Sequence, residues 1–160
     1  IWPSSNSSKI GLLGLFHDIP DAANISHPSF HYQAMFKAAV LLSHRYNITI
    51  DGEFLRWQVA ETTGGIIDVL SDACRAVLNL NTVGIIGPEL SRESQLVAPF
   101  GEKLGIPVIS YASSDPDLSN KKIYPTFYRT VPSDDIAASS LVKLFIRFNW
   151  TSCSIIYQKD

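Results

Sequence analysis

Apolar residues along this chain form short blocks, and longer stretches with apolar residues at helical spacing separate them. Most blocks are nearly continuous apolar runs, the pattern of strands that are buried on both faces of a parallel sheet. The predicted strands cover residues 9–16, 54–60, 82–88, 106–112 and 152–158.

Four stretches between or after these blocks predict amphipathic helices. They cover about residues 30–46, 66–78 and 91–104, and a stretch that begins after Ser133. Gly105 stands where a left-handed residue ends a helix, and Ser133 can cap the last helix, whose first turn holds Asp134 and Asp135. The residues expected to face the core are Ala34, Ala38, Leu41 and Leu42 in the first helix, Ile67, Leu70, Ala73 and Val77 in the second, and Val97, Phe100 and Leu104 in the third.

The alternation of strands and helices predicts the fold class. Strands separated by helices of about 13 to 17 residues indicate an α/β fold with a doubly wound parallel sheet and helices on both faces. Ligands of such sheets bind outside the carboxyl ends of the strands, often where a helix N-terminus faces the crevice. Two positions satisfy this rule, namely the turn at residues 87–91 and the residues that follow Tyr111.

Residues 110–135, SYASSDPDLSNKKIYPTFYRTVPSDD, lack a clear helical or strand period. Loops of this length inside compact domains are usually functional or disordered. Disorder fits poorly here, because the stretch contains Tyr111, Tyr124, Phe127 and Tyr128, and disordered segments lack such residues. We therefore treat the stretch as a candidate functional segment.

Hydroxyl and carboxyl side chains stand at the candidate binding positions. Ser91 and the free N–H groups of a helix start could hold a carboxylate or phosphate, or Ser91 could merely cap its own helix. Ser113 and Ser114 could complete an anion site with turn amides, or could serve only as turn formers. Asp134 could bind an amine, or could be a plain first-turn carboxylate. Together these residues would suit a zwitterion such as an amino acid.

Composition and missing motifs exclude several function classes. The 160 residues are 46% hydrophobic, which allows a real core, and a net charge of -2 argues against a nucleic-acid surface. The chain has no phosphate-loop or dinucleotide motif, no G-x-S-x-G, no H-E-x-x-H and no histidines at metal-ligand spacing. We therefore expect no enzyme activity, no cofactor, no metal site and no nucleic-acid partner.

Four of the seven asparagines begin an N-x-S/T sequon, which indicates N-glycosylation on a secreted surface. They are Asn6, Asn24, Asn47 and Asn149. No apolar run approaches the roughly 18 to 20 residues of a spanning helix, and the N-terminus lacks a signal-peptide core, so we expect a soluble chain or part of a larger protein. Cys74 and Cys153 are the only possible internal disulfide pair, and buried free thiols are the alternative.

Four segments carry a resemblance to a known family, in the family's order and roughly its spacing. They are VGIIGPELS, LGIPVISYASSDPDLSN, YPTFYRTVPSDD and FNWTSCSIIYQKD. The chain resembles the receptor-family ligand-binding region, a Venus-flytrap module with the periplasmic-binding-protein type I fold. It is most similar to the extracellular domain of class C G-protein-coupled receptors, the metabotropic glutamate, calcium-sensing and GABA-B group. The resemblance implies that residues 1–131 form a first lobe and that residues 132–160 begin a second, incomplete lobe.

The resemblance also implies ligand contacts. Ser91 and Ser114, with Ser113 adjacent, would hold the carboxylate of an amino-acid-like ligand, and Asp134 would hold its amine. Lobe closure around the ligand would be the switch. Glu89 and Leu90 depart from the small residues of many members, and Ala112 replaces a serine that several glutamate-sensing members use.

The implied partners are a small ligand, a receptor dimer partner that binds through the first lobe, and a G protein that acts through a membrane domain missing from this chain. The implied location is the extracellular face of the plasma membrane. The alternatives are a non-binding receptor subunit, the amino-terminal assembly domain of a channel resembling ionotropic glutamate receptors, or a soluble substrate-binding protein.

Overall fold

The computed structural model describes residues 10–17, 28–79, 81–154 and 156. It contains a five-stranded sheet and a separate two-stranded hairpin. The strands are β1 (Ile10–His17), β2 (Thr49–Ile50), β3 (Glu53–Phe54), β4 (Arg56–Thr62), β5 (Asn81–Ile86), β6 (Val108–Ser110) and β7 (Phe127–Arg129). The helices are α1 (Pro28–Arg45), α2 (Ile66–Asn79), α3 (Ser91–Leu104), a 3-10 turn (Pro116–Ser119) and α4 (Asp134–Phe148).

The five-stranded sheet has the order β4-β1-β5-β6-β7, and all its neighbouring strands are parallel. Leu13 of β1 pairs with Gln58 of β4 on one side and with Ile85 of β5 on the other. The chain therefore moves from β1 outward to β4, and then crosses back through α2 to β5 and through α3 to β6. This reversal makes the sheet doubly wound, which confirms the predicted α/β fold class.

Helices cover both faces of the sheet. Successive strand side chains point to opposite faces, and the consecutive residues Leu15 and Phe16 accordingly belong to two different core clusters. The Leu15 cluster contains residues of α2 and α3, such as Ala73, whereas the Phe16 cluster contains Phe36 and Val40 of α1. The strands are thus buried between α1 on one side and α2 with α3 on the other, as a parallel sheet requires.

The core-facing stripe expected for α1 is wrong. Leu41 and Leu42 are about half exposed, at 54% and 48%, whereas Phe36 and Val40 are buried. The sequence of α1 is apolar on several sides, so its spacing does not determine which side meets the sheet. Contact between the rings of Phe36 and Phe16, with centroids 5.6 Å apart, determines that side.

The stripe expected for α2 is partly wrong as well. Ile67 is 83% exposed, while Val69 and Ala73 are fully buried. The helix therefore begins with an apolar residue that points to solvent, and its buried side is rotated toward Val69. Ala73 and Val77 lie in or against the core cluster as expected.

Residues 110–135 contain two short elements that spacing alone does not predict. The 3-10 turn begins where the Asp115 carboxylate accepts a hydrogen bond from the Asp117 N–H at 2.8 Å. β7 is the edge strand of the sheet, and Phe127 within it is buried against the α2–α3 side. A strand of three residues is too short to show a period of two, which explains why it is missed.

The helix ends agree largely with the sequence-based expectations, whereas the C-terminal residues do not. Gly105 ends α3 with φ 71, as expected for a left-handed residue. Ser133 precedes α4 as expected, but its side chain makes no capping hydrogen bond. Residues 151–154 do not form the expected strand, and the remainder of that prediction lies mostly outside the described residues. Within the described ranges, none of the helices has the length and apolar character that crossing a membrane requires.

Candidate functional site at the carboxyl edge of the sheet

All five strands of the parallel sheet end on the same side of the sheet, which we call the carboxyl edge. It comprises the residues at or just after the ends of β1, β4, β5, β6 and β7. The groups of interest there are His17, Thr62, residues 89–94, residues 111–115 and residues 130–134. Both binding positions expected from the topology lie on this edge.

The turn after β5 depends on a glycine. Gly87 has φ 96, and a Cβ atom at this position would overlap the carbonyl oxygen of Leu15 on the neighbouring strand. Only glycine combines this backbone conformation with such a close approach. The turn delivers Leu90 as the residue before α3 and Ser91 as the first residue of that helix.

Ser91 joins two loops of the carboxyl edge. Its hydroxyl oxygen accepts a hydrogen bond from the backbone N–H of Asp115 at 3.3 Å. Leu90, rather than Ser91, occupies the capping position of α3, and no side-chain cap forms there. The structure therefore differs from the simple alternative in which Ser91 only caps its own helix.

Ser113 lies beneath the surface of the edge. Its hydroxyl bonds with the Ser94 hydroxyl at 2.8 Å and donates to the carbonyl of Glu89 at 3.1 Å, and the residue is 1% exposed. The Ser110 hydroxyl oxygen accepts from the N–H groups of Ala112 and Ser113, at 3.3 and 3.0 Å. The Ser113 hydroxyl and these two amides thus hold the loops together, instead of facing the crevice as the sequence suggests.

Ser114 and Asp134 are neighbours although they lie far apart in sequence. The backbone N–H of Asp134 donates to the carbonyl of Ser114 at 2.9 Å. The parallel pairing of β6 with β7 brings the two loops together, since Ser110 and Arg129 are register partners at the ends of those strands. Ser114 is half-buried and Asp134 is exposed, so both can be reached from solvent.

Arg129 holds the loop after β6 in place. Its guanidinium group donates to the carbonyl oxygens of Asp115 at 2.7 Å and Ser113 at 3.4 Å, and it also bonds to the Ser119 hydroxyl. The loop after β6 is therefore held at several points. Ser91, Ser114 and Asp134 occupy one edge with a well-defined backbone, whereas Ser113 supports them from inside.

Sequence reasoning missed an aromatic wall beside these residues. The Tyr111 ring lies 4.8 Å from the ring of Tyr32 and 5.6 Å from that of Phe16, between centroids. The Tyr111 hydroxyl is buried and lies beside the side chain of Glu89. Burial raises the pKa of this hydroxyl well above its usual value, and the nearby carboxylates of Glu89 and Glu93 raise it further. In the sequence, the position of Tyr111 at the end of an apolar block was the one feature that could have indicated this aromatic wall.

Sequence reasoning also missed Glu93, a buried carboxyl in the first turn of α3. Its carboxylate accepts a hydrogen bond from the Thr62 hydroxyl at 3.2 Å, and its other oxygen has no described partner. Burial raises the pKa of Glu93, while the Thr62 hydroxyl, His17 and the N–H groups of Gly64 and Leu90 lower it by smaller amounts. Glu93 therefore ties the end of β4 to the start of α3.

A cavity of about 500 Å³ begins at the aromatic wall and extends under α1. Its walls are almost entirely apolar. They include Phe16, Ile86, Tyr111 and Thr130 at strand ends, and Tyr32 and Ala39 on α1. The volume lies within the range of roughly 300 to 1,000 Å³ that is typical of small-molecule sites. The cavity and the carboxyl edge thus share Tyr111 and Thr130.

The remaining predicted residues lie elsewhere. Asn47, just after α1, and Asn149, at the end of α4, are exposed and have left-handed backbone conformations, while Asn6 and Asn24 lie outside the described residues. Cys74 is half-buried, Cys153 is exposed, and both are free thiols. In the described parts of the chain, no three His, Cys, Asp or Glu side chains group as a metal site would require.

Comparison with known proteins identifies similar sequences. Residues 38–160 match the family described as the receptor family ligand binding region. Human (Homo sapiens) taste receptor type 1 member 1 is 35% identical over 78 residues, which are 49% of this chain and 9% of that receptor. The probable metabotropic glutamate receptor mgl-1 of Caenorhabditis elegans is 35% identical over 80 residues, or 50% of this chain and 8% of the receptor.

Subunit 1 of the gamma-aminobutyric acid type B receptor of Mus musculus is 40% identical over 74 residues, which are 46% of this chain and 8% of that subunit. The matched part of the chain spans less than a tenth of the length of each of these curated relatives. The matches confirm the resemblance expected from the sequence. Because the named relatives are receptors, they also confirm the expectation that the chain is not an enzyme.

Proposed function

This chain belongs to the receptor family ligand-binding region, and we propose that it forms part of a cell-surface receptor whose carboxyl edge binds a small, amino-acid-like ligand. The amine of the ligand contacts the Asp134 carboxylate. The hydroxyls of Ser91 and Ser114 hydrogen-bond to the other polar end of the ligand. Ser113 supports this site through its buried hydrogen bonds and does not contact the ligand itself.

One observation carries this proposal: the Asp134 N–H donates to the Ser114 carbonyl at 2.9 Å. This contact makes neighbours of a hydroxyl residue and a carboxylate that stand twenty positions apart. A ligand the size of an amino acid can span two such neighbouring groups. Since the two residues come from the loops after β6 and β7, the proposed site also lies where doubly wound sheets bind their ligands.

Lobe closure around the ligand is the proposed switch. Residues 1–131 form the first lobe in this proposal, and residues 132–160 begin the second. The position of α4 supports this division, because none of its residues is buried, unlike those of α3. A ligand held at Asp134, the first residue of α4, would contact the start of the second lobe.

The proposed setting is the extracellular face of the plasma membrane. The receptor would pair with a dimer partner through the first lobe and would reach a G protein only through a membrane domain that is not part of this sequence. Four sequons support the extracellular location, and two of them, at Asn47 and Asn149, are exposed. N-glycosylation of all four asparagines, including Asn6 and Asn24, is part of the proposal.

A matched pair of variants tests the proposed site. Asp134→Ala removes the proposed amine contact, and Asp135→Ala is the control, because both residues are exposed acids in the first turn of α4. NMR chemical-shift titration of the 160-residue chain with a panel of amino acids measures affinity. Loss of a charge-assisted contact should weaken binding by roughly ten- to a hundredfold, or about 1.5 to 3 kcal/mol.

Asp135→Ala should leave the affinity unchanged, since that carboxylate is assigned no ligand contact. Equal losses in the two variants would indicate a general effect on the N-terminus of α4 and would remove Asp134 from the site. Unchanged binding in Asp134→Ala would have the same consequence.

A non-binding receptor subunit is a second candidate function. One observation favours it: the Ser113 hydroxyl and the amides of Ala112 and Ser113 already have partners inside the protein. The edge thus has fewer free donors for a carboxylate than the sequence suggests. The same titration distinguishes the two candidates, because a non-binding subunit would show no saturable shift with any member of the panel.

A further inference from the structure

The aromatic wall of the carboxyl edge combines π faces with negative charge. Tyr111 contacts the rings of Tyr32 and Phe16, so three aromatic rings meet at the ends of β1 and β6. The Glu89 and Glu93 carboxylates lie close enough to Tyr111 to act on its hydroxyl electrostatically. The faces of aromatic rings and carboxylates both attract cations.

A backbone contact ties Glu89 to the loop that carries Tyr111. Its carbonyl accepts the Ser113 hydroxyl at 3.1 Å, and Ser113 is two residues after Tyr111. Glu89 itself is half-buried. The turn after β5 therefore holds an acidic residue beside the loop that carries Tyr111.

Donors for an anion are scarce at the same place. The N–H groups of Ala112 and Ser113 bond to the Ser110 hydroxyl oxygen, and the Asp115 N–H bonds to Ser91. Of the basic groups, Arg129 bonds to loop carbonyls, and the Arg92 guanidinium lies beside Gly64, two residues after β4. A ligand carboxylate at the Tyr111 wall would therefore meet two acidic residues and few available N–H groups.

The cavity under α1 gives this wall a place for an apolar group. It begins at Tyr111 and Tyr32 and has a volume of about 500 Å³ with mostly apolar walls. The buried Tyr111 hydroxyl, which lies beside the Glu89 side chain, is a polar group at the entrance of an otherwise apolar space. A ligand with an ammonium group and an apolar body would match the charge of the edge and the shape of the cavity.

We propose that the carboxyl edge selects an amine with an apolar body, whose ammonium group lies between Glu89 and Tyr111 and whose apolar body enters the cavity under α1. This inference rests on the proposed function for the location of the crevice, but it assigns the ammonium contact to Glu89 and Tyr111 instead of Asp134. It replaces the zwitterion expected from the sequence by a cation. The ammonium is held by the carboxylate and by the face of Tyr111, and the rings of Phe16 and Tyr32 contact the apolar body.

Three probes with one apolar body test the charge preference. Phenethylamine carries only the amine, phenylalanine carries both charged groups, and 3-phenylpropionate carries only the carboxylate. NMR chemical-shift titration of the 160-residue chain gives an affinity for each probe. We expect phenethylamine to bind at least about tenfold more tightly than phenylalanine, and 3-phenylpropionate to bind most weakly.

Two variants examine the ammonium contact. Glu89→Gln should weaken phenethylamine binding roughly tenfold, because it removes a charge-assisted contact, and it should not weaken 3-phenylpropionate binding. Glu102→Gln, at the other end of α3, is the control and should change neither affinity. Thermal unfolding of each variant verifies that the fold is intact.

Two further variants examine the apolar contact. Ala39→Trp places a large side chain in the cavity, whereas Ala38→Trp adds the same side chain to an exposed position of α1 that does not line the cavity. Ala39→Trp should weaken phenethylamine binding, and Ala38→Trp should not. Equal effects would show that the apolar body binds elsewhere.

The outcomes separate this inference from the proposed function. Phenylalanine binding as tightly as phenethylamine, or binding of polar amino acids alone, would overturn the inference while supporting the amino-acid-like site. Unchanged phenethylamine affinity in Glu89→Gln would also overturn it. Absence of binding by the three probes and by the whole amino-acid panel would count against both proposals.

Discussion

Replacing Gly87 by alanine is expected to destabilise the protein more than the same change at Gly105. Both glycines have positive φ, 96 and 71, a conformation that costs an L-residue about 1 to 2 kcal/mol. They differ in their surroundings. A Cβ at Gly87 would overlap the Leu15 carbonyl oxygen, whereas a Cβ at Gly105 would have no heavy atom within 4 Å.

The surroundings determine the expected magnitudes. Gly105→Ala should cost only the backbone term, about 1 kcal/mol. Gly87→Ala adds the displacement of a strand backbone in the middle of the sheet, and overpacking of this kind costs about 1 to 3 kcal/mol. The total for Gly87→Ala is therefore about 2 to 4 kcal/mol, which corresponds to a Tm lower by roughly 5 to 15 °C for a domain of this size.

Urea denaturation followed by circular dichroism measures the free energy of unfolding of both variants and of the parent chain. A similar slope with denaturant in all three would show that the unfolding reaction is unchanged. Equal losses for the two variants would refute the reasoning, because they would mean that contact with Leu15 adds nothing to the backbone term. Gly52→Ala, with φ 81 and open space, provides a second control that should behave like Gly105→Ala.

Two further predictions concern pH and glycosylation. The folded pKa of Glu93 is raised above its ordinary value of 4.5, so its contribution to stability is complete below about pH 4.5 and is lost as the pH rises through the folded pKa. Glu93→Gln should therefore gain stability relative to the parent as the pH rises from 4.5 toward neutrality. Urea denaturation at several pH values measures the difference in free energy of unfolding, and Glu102→Gln is the control whose difference should not vary with pH. A difference for Glu93→Gln that does not vary with pH either would contradict this prediction. Chain made in a secretory host should lose mass on glycosidase treatment, and Asn47→Gln and Asn149→Gln should each remove one glycan in mass spectrometry; no mass change at any sequon would contradict the proposed extracellular location.

Local signals in the sequence predict most of the helices and the longer strands of the parallel sheet. The bounds of α3 and its end at Gly105 agree with the structure to the residue, because a helix start after a Gly-Pro turn and a left-handed glycine are both local features. The side that α3 buries is only partly as expected, since Val97 is fully buried but Leu104 is 48% exposed. β1 and β5 are long apolar runs and were predicted within one residue or so at most ends. The three-residue strand β7 was missed, since its pairing with β6 rather than its own pattern makes it a strand.

The candidate site was only partly predictable. Topology located it at the ends of β5 and β6, and Ser91, Ser114 and Asp134 do lie on one edge there. Neither topology nor spacing could indicate that Ser113 is buried, because its partners Ser94 and Glu89 belong to another loop. Tyr111 appeared only as the end of an apolar block, although it forms the aromatic wall.

The sequence alone determined the α/β class, the alternation of strands and helices and the glycine at the turn after β5, because these follow from residue period and backbone conformation within a few positions. The tertiary structure alone decided which side of α1 and α2 is buried, that Ser114 and Asp134 are neighbours, and that carboxylates and aromatic rings meet at Tyr111. The physical reason is distance along the chain. Burial and hydrogen bonding depend on groups from other elements, and only the packed sheet brings those groups together.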